Sequence, residues 1–150
     1  MELFQMNNLS ELKSLLANSN LLNFHALNEN SIDEMLDRRD DAEFEEDWLR
    51  VFQKLENELF TDDALMEIKS IREIAYQKTF EATNHSDLAA YVADDFEMIA
   101  KSLLADFSDE WLNALFLSYL HGAFPHTKIV PKRSGLELIL ETASLQKLAA

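Results

Sequence analysis

From residue 1 to residue 121 this chain contains neither glycine nor proline; its two glycines and two prolines all lie between Gly122 and Gly135. Tight turns between strands lean on those residues, glycine for positive φ and proline for a preset φ. A sheet is therefore a poor solution over that length. Helices need only capped ends, and Ser, Thr, Asn and Asp supply those. The expectation is an all-α, single-domain helical bundle of about six or seven helices, spanning residues 1–150, with a long central antiparallel helical hairpin. A chain of 150 residues that is 47% apolar, with ten Phe and two Trp, has ample material for one core.

Apolar spacing and cap residues divide the chain. Leu9 to Ala17 reads as a first helix, and Asn18 to Asn30 as an irregular connection whose Leu21, Leu22, Phe24 and Leu27 still reach the core. Ser31-Ile-Asp-Glu34 has the reciprocal capping pattern and opens a short helix to about Asp37. A long helix follows from Asp41 to Phe60 with Phe44, Trp48, Val51, Phe52, Leu55 and Leu59 on one stripe and a Glu46–Arg50 pair outside. Thr61 caps the next arm, to about Thr83, with Leu65, Ile68, Ile71 and Ala75 facing inward. These two arms are the expected hairpin. Ser86 opens a helix to Phe107 with a Glu97–Lys101 pair. Ser108 to Gly122 then reads as a short helix apolar on nearly every side, Trp111 to Leu120, and so as the buried post of the bundle. After the loop from Gly122, in which Lys128-Ile-Val130 suits a short extended piece, Ser134-Gly-Leu-Glu137 opens a last helix to about Leu148.

Composition excludes several functions. No cysteine occurs, which removes disulfides, thiolate metal sites and cysteine nucleophiles and fits a reducing compartment. The N-terminus has no basic start or apolar run of a secretory signal, and no stretch nears the roughly 20 apolar residues of a membrane span. A cytoplasmic location is expected. The net charge of −15 repels nucleic acid and anionic membranes and favours either a basic protein as partner or simple solubility.

That charge is concentrated. Glu29 to Asp47 carries ten carboxylates against Arg38 and Arg39. Asp33, Glu34, Asp37, Asp40, Asp41, Glu43, Glu46 and Asp47 are the candidate partner-binding residues, since dense like charge speeds encounter with a basic surface and rejects wrong partners. The competing reading is a solvated helix start, where acids gather because the dipole favours them. A second candidate is the loop, with His126, Lys128, Lys132 and Arg133 poised for an acidic group; a long inter-helix turn needs such residue types in any case. Phe4, Phe24 and Phe124 fall outside the regular helices and are either interface anchors or core, and packing is the reading preferred.

Metal and catalytic signatures are incomplete. Glu43-x-x-Glu46 supplies half of the magnesium motif of the all-α nucleotide pyrophosphohydrolases, but no Glu-x-x-Asp follows it. None of His25, His85, His121 and His126 has Glu three positions earlier, as di-iron bundles require. Glu81 and His85 are a lone pair four apart. No glycine-rich loop or Gly-x-Ser-x-Gly occurs, so the chain reads as non-catalytic, with no metal and no cofactor.

Small, acidic, helical, cysteine-free and without a catalytic signature, the chain in these gross features resembles bacterial immunity or antidote proteins. Those neutralise basic nuclease toxins by offering them carboxylates. The resemblance implies a non-catalytic protein-binding module. Two readings from other classes stand beside it: a magnesium- or manganese-dependent hydrolase using acids of the Asp33–Asp47 segment, and a bundle that self-associates or binds a small apolar ligand.

Overall fold

The computed structural model describes residues 2–24, 27–131, 133 and 135–149, and the side chains of 6–24, 27–131, 133 and 135–143. Within them lie seven helices and no strand: α1 (Glu2–Asn18), α2 (Glu29–Arg39), α3 (Ala42–Glu56), α4 (Asp62–Thr83), α5 (Ser86–Ala105), α6 (Glu110–Leu120) and α7 (Leu136–Ala149). The all-α bundle and its long antiparallel pair are as the sequence implies, but the pair is α4 with α5, one helix later than expected. Asn84 makes the reversal possible. It adopts the left-handed conformation at φ 55°, one that asparagine tolerates better than most residues, and its N–H donates to the Phe80 carbonyl. The His85 ring then accepts from the Leu88 N–H and caps α5.

α5 is the true centre. It packs along α4 and also meets α1, α3 and α7. Leu88, Val92, Phe96, Met98, Ile99 and Leu103 are buried on several of its sides, with Ala89, Ala93 and Ala100 letting neighbours approach. α6 is buried as expected, from Trp111 through Phe116 and at Tyr119, but it lies against the body rather than organising it. Phe96 joins the two, with its ring 4.9 Å from that of Tyr119 and 6.3 Å from that of Phe116.

Several local expectations shift by a residue or more. The caps are Asn28 rather than Ser31 for α2, His85 rather than Ser86 for α5, and Asp109 rather than Ser108 for α6. Each accepts from the N–H three residues on, so the cap is the polar residue whose backbone is already extended. Thr61 caps α4 as read. α3 ends at Glu56, which leaves Leu59 outside the helix and 97% exposed instead of on the stripe. Leu65 is exposed as well, because the burial of Ala64, Ile68 and Ile71 turns it aside. Arg50 pairs with Asp47 and Asp109, not Glu46. The Glu97–Lys101 pair forms at 3.8 Å. Residues 128–130 form no strand. His25, Lys132, the Ser134 cap and the Phe4 side chain lie outside the described residues.

Candidate docking surface

Helix α2, the two-residue turn Asp40–Asp41 and the first turns of α3 make an acidic corner. Asp33, Glu34, Asp37, Asp40, Asp41, Glu43 and Glu46 are all exposed, and Asp47 is half-buried beside Arg50. Asp33 stands 3.4 Å from His85 Nε2. Since His85 Nδ1 already accepts from Leu88, its Nε2 is the nitrogen that donates to Asp33. Asp41 occupies the N-cap of α3 without a side-chain cap bond, so its carboxylate faces outward.

The two arginines of this run part company. Arg38 is exposed; Arg39 is buried, only 4% accessible. Its guanidinium is bidentate with Asp95 of α5, through Nη1 at 3.0 Å and a short contact from Nη2. Nε donates to the Pro125 carbonyl at 2.8 Å. Asp95 also accepts from Trp48 Nε1 at 2.9 Å and from the Tyr119 hydroxyl. Burial alone works against the charged guanidinium, but the charge and hydrogen bonds of Asp95 outweigh it and raise the Arg39 pKa further. Burial and the same carboxylate push the Tyr119 hydroxyl well above its ordinary range, which keeps it a donor. The network uses one of the segment's two positive charges internally. What faces solvent is ten carboxylates, nine exposed and one half-buried, with Arg38 alone among them.

Sequence reasoning missed Asp95. It sits mid-helix among apolar residues, Val92, Ala93, Phe96 and Ile99, and that placement is the signal: a lone acid on an otherwise buried face implies a buried partner.

The loop candidates divide. The His126 ring stacks on Phe124 at 6.3 Å, and its Nδ1 lies 2.6 Å from the Phe124 carbonyl, to which it donates. Lys128 and Arg133 are exposed. His126, Thr127 and Lys128 face Arg38, Asp41 and Glu43 across a cleft of about 80 Å³. The acidic corner and the start of the loop, separate in sequence, thus share a border. Phe24 and Phe124 are both buried, 6.5 Å apart, and each packs on Tyr119.

Among the described residues no three of His, Asp and Glu converge as a metal site; Glu43 and Glu46 stand exposed, and His85 is engaged with Leu88 and Asp33. A concavity of about 740 Å³ is a mainly apolar groove bordered by Leu15, Leu21, Leu117, Leu120 and Leu138, and no residue of the acidic corner lines it. No helix among the described residues is long and apolar enough to cross a membrane.

The described residues thus offer a charged helical surface at the corner of α2 and α3. Residues 11–126 match the family of immunity protein PIM1, and the chain belongs to that family. The match runs from within α1 through α6 and into the loop, so it holds the whole acidic corner and leaves α7 outside. A comparison with curated proteins finds no match.

Proposed function

We propose that this immunity-family chain binds and neutralises a toxin, that the acidic corner of α2 and α3 is its contact surface, and that the toxin face it meets is basic. The observation that carries the reading is the sorting of charge at that corner: the carboxylates point out, while Arg39 is drawn inward to Asp95. An exposed surface dominated by one sign raises the encounter rate with an oppositely charged partner and penalises others. The cysteine-free composition fits action in the cytoplasm.

The test reverses Glu34, Asp37, Glu43 and Glu46 to Lys; none of the four caps a helix or pairs with a cation among the described residues. Tagged wild-type and variant chains are used to capture protein from a lysate of the source cell at low and moderate salt. The wild type is expected to retain one basic protein that moderate salt releases, and the variant to retain none while its circular dichroism is unchanged. Undiminished capture by a folded variant removes the acidic corner from the reading.

A further inference from the structure

The corner and the loop meet through one side chain. The Arg39 guanidinium lies between two rings, 4.4 Å from the centroid of Phe44 in the first turn of α3 and 4.3 Å from that of Phe124 in the loop. Its Nε holds the Pro125 carbonyl and its Nη atoms hold Asp95. Among the described residues no backbone–backbone hydrogen bond ties residues 124–131 to α2 or α3. The loop is fastened to the corner by this side chain and the rings on either side of it.

Stability alone is a weak reason for such an arrangement. A buried ion pair often holds a fold together no better than apolar side chains of the same volume. What a guanidinium adds is geometry: a flat group with five donors in a fixed fork fits two rings, a carboxylate and a carbonyl at once. Phe44, one of the two rings, also lines the cleft where Arg38, Asp41 and Glu43 face His126 and Lys128.

We infer that Arg39 is a positioning residue for docking: it locks the acidic corner to residues 124–128 of the loop, so that a partner meets both as one preformed surface. The inference rests on the docking reading for its purpose but not for its mechanics. A partner pays less ordering entropy against a surface already fixed. The loop's contribution is then recognition at the rim of an acidic face: Lys128 requires a hydrogen-bond acceptor on a partner that is otherwise basic, and His126, whose Nδ1 donates to Phe124, offers Nε2 as an acceptor.

The test uses Arg39→Lys, which keeps the charge and one contact to Asp95 but cannot lie flat between two rings or reach Pro125 as well. Phe124→Leu is the second variant, keeping an apolar side chain while removing one face of the stack. Backbone ¹⁵N relaxation of the full chain reads the mechanics. Order parameters for residue 124 and residues 126–130 are expected to fall from about 0.85 toward 0.6 in both variants, with α4 and α5 unchanged. Order parameters that stay at wild-type values in both variants overturn the lock. The protein retained in the lysate capture reads the purpose. Its affinity for Arg39→Lys is expected to fall about tenfold through faster dissociation, with the salt-dependent association rate unchanged because the net charge is the same. A lower melting temperature with unchanged affinity makes Arg39 merely structural and overturns the positioning role. If the charge-reversed chain still captures its partner, the docking reading fails, and the relaxation data alone decide whether the lock exists.

Discussion

α5 buries eleven of its twenty residues, nine of them apolar, whereas α2 buries only Ile32 and Arg39 of eleven. The first helix is held by area removed from water, a non-directional force spread over many side chains. The second buries far less, Ile32 with Met35 and Leu36 half-buried, and adds one directional network, Arg39 to Asp95, Pro125 and the flanking rings. Spread-out burial tolerates local change in detail and fails globally; a single polar anchor fails locally. Two adjacent residues, Asp95 and Phe96, serve the two regimes from one turn of α5.

The comparison is tested most severely at that pair. Phe96→Ala leaves a cavity between α5 and α6 and is expected to cost roughly 3–5 kcal/mol, read as a lower urea midpoint by circular dichroism. A cost below about 1 kcal/mol breaks the claim that α5 is central. Asp95→Ala strands a buried guanidinium and is expected to cost about 3 kcal/mol. Here the regimes separate: Asp95→Leu combined with Arg39→Met is expected to regain part of the loss, because it removes the stranded charge while leaving the Tyr119 hydroxyl, the Trp48 N–H and the Pro125 carbonyl without their partners. No second substitution at a charged residue rescues Phe96→Ala.

Helix count and most core positions were legible because 3.6-residue periodicity survives in α3, α4 and α5. What misled was the assumption that the most uniformly apolar helix must be the centre. α6 is apolar all round because it is short and covered, while α5 hides its centrality behind Asp94, Asp95 and Glu97, two of which pair with Arg72 on α4. The acidic run was plain, but the fate of its arginines was not. Arg38 and Arg39 are chemically identical neighbours, and only the helical phase of α2 against α5 sends one outward and the other inward. The border between corner and loop, some eighty residues apart in sequence, has no local signal at all.

A milder anchor sharpens the contrast between directional and spread-out binding. Asp109 caps α6 through Leu112 and pairs with Arg50 at 2.5 Å. Burial pushes its pKa up, but the hydrogen bond from Arg50, the Leu112 amide and the charge of Arg50 outweigh that and lower it. A depressed carboxylate pKa contributes stability that is complete above the unfolded value and is lost as pH falls through the folded one. Asp109→Asn keeps a capping side chain and removes the charge. It is expected to cost about 0.5–1 kcal/mol at neutral pH, since Arg50 is largely exposed and screened. The gap between wild type and variant is expected to close as pH drops below the ordinary aspartate range; a gap that persists there assigns the loss to the cap rather than the charge.

The smallest expected effect bears most directly on what the corner is for. Asp37 has acids three and four residues away on both sides, Asp33, Glu34, Asp40 and Asp41, and it lies near the C-terminal end of α2, where the helix dipole disfavours negative charge. Nothing in its own helix argues for a carboxylate there. Asp37→Asn is therefore expected to stabilise the chain by about 0.5 kcal/mol at low salt. That gain should vanish near 1 M salt, where the screening length shrinks to roughly 3 Å. A destabilised variant refutes the repulsion argument, and with it the idea that the corner carries strain. A stabilised variant that captures its partner less well shows an acid kept against the interest of the fold, which a merely solvated helix start has no reason to do.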